Sequence, residues 1–525
     1  MDRKKIVIIG GGHNALVAAC YLARANFEVW VFEKNKKVGG CCVTDEETFP
    51  GFKVSSASYV NSLFSSQIAE GLGLLENGYE VIRRNPSSFT PLPCGRYLML
   101  GPDHNMNRDE ISKFSIHDAE MYSCYEQALK EVSEFIGPIL MMTPSNIPSR
   151  KRKDLSNLIK FLRYVLGGNP VVLARLLHLM FCSPLSYLDS WFETDVLKAT
   201  LLTGSIIGAV NPNGYVLLHH EMGDAGGSRG IWGYQRGGMG NISESLAHVA
   251  KQSGVRIETE QTVRSLLLKN DRAIGIVLNN GVRVLADIVV SGVDPKQTFL
   301  KLLPDARIFR NLKKRVNNLD FSSASMKINI ALSGLPSFRC MPGTLPGPQH
   351  RGTIHISPTT SYIARALGEA RLGTASTRPI LEITIPSVLD NTIAPVGKHL
   401  MNIFVQFTPY HIKNGSWDSF KQVYFQNHIM PTMRCYIENI DNVIESIEIL
   451  SPVDLERRFG LTEGNIFHGA MNPSQLFMLR PLRGLAGYKT PVSGLYLCGA
   501  GTHPGGGVMG ICGFNAAREI ITAEA

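Results

Sequence analysis

The chain of 525 residues is too long for one small hydrophobic core, so we expect a nucleotide-binding domain combined with a substrate domain. Apolar residues make up 44% of the chain and charged residues 18%, which excludes an intrinsically disordered protein. The net charge of +9 is not accompanied by any nucleic-acid-binding motif, so we expect no nucleic-acid partner.

A glycine-rich loop follows the first predicted strand. The β-branched run 6–9 is typical of a buried parallel strand, and a helical stretch over 15–25 comes soon after it. The first glycine of this loop permits a tight turn, and the second lets the backbone approach a pyrophosphate. The small third residue lets the helix pack against the strand. The residues predicted to bind a dinucleotide here are Gly10, Gly12, His13, Asn14 and Ala15.

The second predicted strand, over 27–32, indicates which dinucleotide is bound. Glu33 lies at its end and is placed to accept hydrogen bonds from an adenosine ribose, whereas the extra phosphate of NADP would be repelled. The glycine doublet that follows resembles the extended fingerprint of FAD-binding flavoproteins. We therefore predict FAD as the cofactor, in contact with Glu33, Lys34, Gly39 and Gly40.

The middle of the chain returns to the nucleotide-binding sheet. A helix is predicted from 237 to about 253, followed by a parallel strand at 255–258. Three alternating segments surround the turn signal Asn279-Asn280-Gly281 and predict a small antiparallel layer. Another buried strand is predicted at 288–292.

A second glycine-rich loop lies near the end of the chain, at 499–510, between a short apolar strand and a helix predicted over 511–522. As in the first loop, close approach of the backbone precedes a helix N-terminus, which favours phosphates and other anions. We expect this loop to hold the ribityl chain and to face the isoalloxazine ring. The residues predicted to contact the cofactor here are Gly501, Gly506, Gly507 and Val508.

The loop Gly499-Ala500-Gly501-Thr502-His503-Pro504-Gly505 resembles the C-terminal signature of bacterial-type phytoene desaturases. Within that superfamily the chain is most similar to the pyridine nucleotide-disulfide oxidoreductase domain-containing protein 2 family, and the resemblance covers nearly the whole chain. The motifs that carry it are Gly12-His13-Asn14, Tyr215-Val216-Leu217-Leu218-His219-His220, Trp232-Gly233-Tyr234, Gly237-Gly238-Met239-Gly240, Asn465-Ile466-Phe467-His468 and His503-Pro504-Gly505-Gly506-Gly507-Val508-Met509-Gly510.

The resemblance implies an α/β fold with a discontinuous Rossmann-type FAD-binding domain, built on a parallel sheet with helices and the small antiparallel layer. An α+β substrate domain with a mixed sheet completes it. We expect the FAD-binding domain to comprise 1–75, 237–300 and 480–525. The substrate domain then comprises 76–236 and 301–479, with a helical lid around 150–195.

The resemblance also implies which residues lie near the flavin. It places the backbone of Val263 beside the adenine. Each pocket candidate has an alternative interpretation as a core residue, and no single catalytic residue is predicted. Arg480 and Arg483 could face an anionic group. The pocket candidates are His219, His220, Trp232, Tyr234, Phe467, His468 and His503.

The predicted lid mixes basic residues with apolar ones at near-helical spacing. It is interpreted either as a membrane-touching entrance for a lipophilic substrate or as an amphipathic cover of the substrate domain. The chain reaches its first strand after five residues, so we expect neither a signal nor a transit segment and a cytoplasmic location, although eukaryotic relatives are mitochondrial.

The expected activity is hydride transfer from a C–H bond of a hydrophobic substrate to FAD. Alternatives are an isomerase that uses reduced flavin to rearrange a polyene, and a flavin-bound protein that regulates a protein partner. The ten cysteines are spread along the chain without metal-ligand spacing, so we expect no metal site. Dithiol chemistry is not expected either, because Glu46 stands where a redox partner of Cys41 would lie.

Overall fold

The structure is a computed structural model that describes residues 3–146, 152–225, 230, 232–323, 325–413 and 415–524. Two residues at the start of the predicted lid, 150 and 151, lie outside this described part.

Strands and helices alternate at the start of the chain, and strands cluster again after residue 255. They are β1 (Lys5–Ile9), β2 (Glu28–Phe32), β3 (Thr44–Asp45), β4 (Val54–Ser55), β5 (Val81–Arg83), β6 (Ser88–Pro91), β7 (Tyr97–Leu100), β8 (Gly233–Gln235), β9 (Arg256–Glu258), β10 (Val263–Lys269), β11 (Arg272–Leu278), β12 (Arg283–Leu285), β13 (Ile288–Ser291), β14 (Ser325–Leu332), β15 (Thr353–Ile356), β16 (Ile380–Thr384), β17 (His399–Gln406), β18 (Ile444–Leu450) and β19 (Leu495–Leu497).

The α-helices of the described residues are concentrated between residues 104 and 221. They are α1 (His13–Arg24), α2 (Ser66–Leu72), α3 (His104–Ser112), α4 (Ile116–Leu140), α5 (Arg152–Leu166), α6 (Pro170–Phe181), α7 (Pro184–Asp189), α8 (Asp195–Ile206), α9 (Gly214–Glu221), α10 (Gly240–Gln252), α11 (Arg310–Asn317), α12 (Thr360–Arg371), α13 (Trp417–Tyr424), α14 (Met430–Tyr436), α15 (Ile440–Val443), α16 (Pro452–Phe459) and α17 (Ile511–Glu524).

A parallel sheet in the order β19-β13-β1-β2-β9 forms the nucleotide-binding core. Its central strand β1 is buried on both faces, as parallel strands are. Ile6 and Ile8 pack in the cluster that contains α1, α10 and α17, whereas Val7 and Ile9 pack with the antiparallel layer β10-β11-β12. The carboxyl ends of these strands therefore meet one edge, where ligands of such sheets bind.

A second, mixed sheet has the order β18-β14-β17-β16-β15-β6-β7. Its strands are antiparallel except where β15 pairs in parallel with β6. Apolar residues such as Met326, Ile328 and Ile403 form one face, against Trp417 and other residues of α13 and α14. The alternate positions of the same strands form a second face that is also buried, and it is this face that borders the site.

The predicted fold class is confirmed, including the parallel sheet, the antiparallel layer and the mixed sheet. The predicted strands are found within one to three residues of their expected ends. Two predicted helices begin elsewhere: α1 begins at His13, two residues before the prediction, and α10 begins at Gly240, three residues after it. The division of the chain into domains stays a prediction, although the parallel sheet draws its strands only from the predicted FAD-binding segments.

Candidate cofactor and substrate site

A cavity extends from the carboxyl edge of the parallel sheet to the second face of the mixed sheet. The two glycine-rich loops and the segment 57–63 contribute to its wall, together with the end of β2. Its lining includes Ile9, Gly10, Gly12, His13, Asn14, Ala15, Glu33, Lys34, Gly39, Gly40, Tyr59, Ile207, His220, Trp232, Gln261, Val263, Asp294, Lys327, Phe404, Phe467, His468, Gly507 and Val508.

The first glycine-rich loop turns directly from β1 into α1 at the cavity wall. Gly10 has a φ of 84°, a left-handed conformation that favours glycine, and its N–H donates to the carbonyl of Phe32. Gly12 occupies the N-cap position of α1 and has no side chain with which to cap it. The unpaired N–H groups and the positive end of the helix dipole therefore face the cavity, an arrangement suited to phosphate oxygens.

Packing against the rest of the protein does not explain why a glycine stands at position 12. Its φ of −68° is open to any residue, and a Cβ added there would lie within 4 Å of no atom of the described residues. Elsewhere in this loop region the chain is tight: a Cβ on Gly39 would lie 2.3 Å from the carbonyl oxygen of Cys42. The empty space beside Gly12 is a cradle that a side chain would fill, as expected for a bound phosphate group.

Glu33 is buried at the end of β2 and links the neighbouring loops. Its carboxylate accepts hydrogen bonds from the backbone N–H of Gly11 at 2.7 Å and of Asn35 at 2.9 Å. The N–H of Gln261 donates to the carbonyl of Glu33, which brings the start of β10, and with it Val263, to the same wall. The remaining lone pairs of the carboxylate are available to a ligand in the cavity.

The second loop contributes only part of what was predicted. Gly507 and Val508 line the cavity, and the imidazole of His13 hydrogen-bonds the backbone of Gly507, which joins the two loops. Gly501 and Gly506 do not line it. A Cβ on Gly506 would lie 2.3 Å from the Cα of Phe467, and one on Gly501 would lie 2.5 Å from a carbon of Pro295. These two glycines are required by packing against protein.

The pocket candidates divide into two groups. His220, Trp232, Phe467 and His468 line the cavity, and the ring of His220 stacks on that of Trp232 with centroids 5.5 Å apart. The other three point into the protein: His219 hydrogen-bonds the carbonyl of Gly506, Tyr234 donates to the carbonyl of Arg351, and His503 contacts the carbonyl of Ile139. None of these three lines the cavity. His219 packs directly behind the cavity wall, with its ring against those of His220 and Phe467.

Arg480 does not face an anion. It is 1% exposed and donates to backbone carbonyls, including those of Phe467 at 2.6 Å and Ala500 at 3.0 Å. This guanidinium ties the segment before the second loop to the loop itself. Because these carbonyls satisfy the N–H donors of Arg480, it does not make the predicted interaction with an anionic group.

Burial lowers the pKa of several histidines in and around the site. The affected groups are His13, His220 and His503, at about 4, and His219, His355 and His468, at about 3. Removal of water from around the imidazolium is the largest cause in each case. These imidazoles are therefore neutral at physiological pH, and none is a ready acid in the folded protein.

We expect the free energy of unfolding to fall as the pH is lowered from about 6.5 to about 4. The unfolded chain binds protons at these histidines in that window whereas the folded chain does not, so each costs about 1.4 kcal/mol per pH unit. Urea unfolding across a pH series measures the slope. His355→Gln should reduce the slope, whereas the same change at His104, whose side chain is 76% exposed, should leave it unaltered. A stability that does not change over this window would contradict the prediction.

The cavity wall next to the mixed sheet contains Lys327 and Tyr59, two residues that the sequence did not indicate. Lys327 is 1% exposed on β14, and its Nζ donates to Asn329 Oδ1 at 2.7 Å and Asn402 Oδ1 at 2.8 Å. The same Nζ lies 4.9 Å from the ring centroid of Tyr59. Burial lowers the pKa of Lys327 well below its ordinary value. A charged residue inside the run Met326–Ile330 was the available signal, since lysine is rarely buried without a role.

Comparison with known proteins assigns two parts of the chain to families. Residues 8–67 match the NAD(P)-binding Rossmann-like domain, and residues 81–325 match the flavin containing amine oxidoreductase family. Pyridine nucleotide-disulfide oxidoreductase domain-containing protein 2 of Rattus norvegicus is 40% identical over 98% of this chain and 93% of its own length. The chain belongs to this family.

More distant relatives show how widely the fold is used. A phytoene desaturase of Fusarium fujikuroi is 24% identical, over 99% of this chain and 90% of its own. The crystal structure of an oxidoreductase from Methanosarcina mazei superimposes with a TM-score of 0.58 at 18% identity, over 99% and 100% of the two chains. This member of the family is an oxidoreductase enzyme with a flavin cofactor.

The cysteines agree with an enzyme that works without a redox disulfide. All ten lie within the described residues and all are free thiols. Burial raises the pKa of both Cys41 and Cys42 to about 12, which keeps them protonated and poorly nucleophilic. Neither Cys41 nor Cys42 is therefore suited to act as a nucleophile.

Proposed function

We propose that the flavin is FAD and that the cavity holds it in an extended conformation. The observation that carries this proposal is the open space beside Gly12, at a helix N-terminus whose N–H groups need acceptors, with Glu33 nearby. A pyrophosphate fits the space beside Gly12, and an adenosine ribose fits beside Glu33. The residues proposed to hold FAD are Gly10, Gly12, His13, Asn14, Ala15, Glu33, Lys34, Gly39, Gly40, Val263, Gly507 and Val508.

The proposed reaction removes two electrons and two protons from a carbon skeleton. FAD, when bound, supplies the acceptor for a hydride from a C–H bond of the substrate, and an external acceptor such as dioxygen or a quinone takes the electrons afterwards. Lys327 Nζ is placed to take the remaining proton, because it lines the cavity and because burial, which lowers its pKa, favours the unprotonated amine. His220, Trp232 and Phe404 would enclose the substrate and exclude water.

The test is anaerobic mixing of purified protein with a panel of saturated and allylic compounds of different polarity. Bleaching of the yellow flavin absorbance by one class, together with release of the desaturated or oxidised product, supports the reaction. Extraction of the cofactor identifies it as FAD or another flavin. Protein that carries no extractable flavin would overturn the cofactor proposal, and flavin that no compound reduces would overturn the reaction.

We also propose that α5 and α6 touch an anionic membrane surface. Among the described residues no single helix is long and apolar enough to span a bilayer; α5 and α6 together reach the required length but are bent by 109°. One stripe of α5 is exposed: Leu155 by 55%, Leu162 by 43% and Leu166 by 78%. Exposed Lys160 and Arg163 accompany it, and this combination favours binding along a membrane surface.

Sedimentation with phosphatidylglycerol vesicles tests the membrane contact. We expect the double change Leu162→Ser and Leu166→Ser to weaken pelleting by about ten-fold, because two apolar anchors are lost. Leu372→Ser is the matched control, since that leucine is 72% exposed at the end of α12. Equal pelleting of the double variant and the control, or no lipid-dependent pelleting of the wild type, would contradict the proposal.

A further inference from the structure

The buried polar face of the mixed sheet is the largest feature that the proposed reaction leaves unexplained. Three strands contribute to it, and their alternate residues point away from the apolar face. The face comprises Ser325, Lys327 and Asn329 on β14, Asn402, Phe404 and Gln406 on β17, and Glu382 and Thr384 on β16. All of these residues are buried. A sheet face with this many polar groups is ordinarily exposed to water, whereas here it is buried, with Lys327 and Phe404 lining the cavity.

The strand register places these polar groups side by side. Lys327 and Glu382 both stand opposite Phe404, which lines the cavity, and Asn329 and Thr384 both stand opposite Asn402. Cross-strand neighbours lie about 5 Å apart, so these groups form two adjacent rows. The polar face is therefore continuous with the cavity wall at Lys327.

Hydrogen-bond donors on this face are left without partners. Asn402 uses its Oδ1 to accept from Lys327, and its Nδ2 meets no acceptor among the described residues. The hydroxyls of Thr384 and Ser325 are also buried without a described partner. A buried polar group left unpaired costs about 1–3 kcal/mol, so such groups in a binding region are expected to meet a ligand.

The charges around this face favour a ligand with a hydrogen-bond acceptor over a cationic ligand. Arg84 is 2% exposed, and its charge acts on Glu382, lowering the pKa of that carboxyl against the larger effect of burial. Glu382, to which the hydroxyl of Tyr59 donates at 3.5 Å, has its pKa raised to about 8 by burial. Most of the Glu382 carboxyl is therefore protonated at neutral pH. The groups that remain at this face are the guanidinium of Arg84 and several donors without partners. An ammonium ion would find little to balance it there.

We propose that the substrate carries an acceptor oxygen, of a ketone or a carboxylate, which binds the free donors of Asn402 and Thr384 beside Lys327. This inference rests on the proposed function, because it places the oxygen beside the carbon skeleton that FAD oxidises. It makes the substrate an oxygenated molecule rather than a pure hydrocarbon. The apolar walls formed by Ile207, Trp232 and Phe404 then hold the rest of the skeleton.

Four ligands that share one length of carbon chain and differ in their polar group test this inference. Methyl hexyl ketone, octanoate, octylamine and octane are titrated against the flavin-loaded protein without oxygen, and the shift of the flavin absorbance spectrum reports binding. We expect the ketone or octanoate to bind at least about ten-fold more tightly than octane. We expect Asn402→Leu to weaken that ligand about ten-fold and Thr384→Val about five-fold, while binding of octane is unchanged.

Two control variants lie away from the polar face. Gln422→Leu removes an exposed amide on α13, and Thr432→Val removes a hydroxyl on α14, behind the apolar face; both should bind like the wild type. Tighter binding of octylamine, equal binding of ketone, octanoate and octane, no response to any of the four, or variants with unchanged affinity would each overturn the inference. Protein without extractable flavin would instead overturn the proposed function, so the two failures are distinguishable.

Discussion

Replacing Gly12 with valine is expected to yield a folded but colourless protein. The backbone at this position accepts any residue, and the added side chain meets only the empty space of the cavity, so the fold should tolerate it. The same side chain would occupy the cradle proposed for the pyrophosphate and separate it from the N-terminus of α1. We expect the affinity for FAD to fall by at least about a hundred-fold.

The measurement is the ratio of flavin to protein absorbance after purification, with circular dichroism and the thermal midpoint as checks of folding. Gly368→Val is the matched control, because Gly368 is an exposed glycine in α12 whose added Cβ also meets no neighbour within 4 Å. It should purify as yellow as the wild type. A fully yellow Gly12→Val protein would show that the cofactor lies elsewhere.

Replacing Lys327 with methionine is expected to leave the flavin bound and to reduce its rate of reduction by substrate by at least about a hundred-fold. Methionine keeps most of the length of lysine but offers neither a lone pair nor a donor, so the proton from the substrate has no acceptor. It also leaves two amide oxygens, of Asn329 and Asn402, without their donor, and we expect a loss of stability of about 1–3 kcal/mol.

Stopped-flow reduction without oxygen, using the compound that bleaches the wild-type flavin, measures this effect. The pH dependence separates a role in proton transfer from a structural one. In the wild type the rate should rise as Lys327 loses its proton, whereas the residual rate of Lys327→Met should lose that dependence. Lys398→Met is the control, since Lys398 forms an ion pair with Glu445 and neither residue lines the cavity. An unchanged rate in Lys327→Met would remove Lys327 from the mechanism.

The polar face indicates a different kind of substrate from the one that the more distant relatives suggest. A phytoene desaturase acts on a hydrocarbon by its name, and a hydrophobic substrate was the expectation from the sequence. Sequence identity of 24% supports a common fold, whereas the substrate depends on the residues of the individual site. The buried amides and hydroxyls of β14, β16 and β17 belong to this chain, and they support an oxygenated substrate.

The sequence by itself determined the strand, turn and helix of the first glycine-rich loop, because the residues of that loop are neighbours in the chain. Gly10, Gly12 and Glu33 act through the local geometry of a strand, a turn and a helix, which spacing alone describes. The antiparallel layer was predicted for the same reason, since its turn at Asn279-Asn280-Gly281 is local. The predicted and observed elements agree closely in these regions.

The tertiary structure alone decided which side chains face the cavity. His219 and Gly506 are 287 positions apart, so no local pattern indicates their hydrogen bond or the removal of His219 from the pocket. The alternation of polar and apolar residues around Lys327 is also typical of a strand with one face in water. Only the packing of the mixed sheet against the cavity wall shows that both faces are buried. Burial depends on contacts between distant segments, and burial is what changes the pKa of Lys327 and leaves the donors of the polar face unpaired.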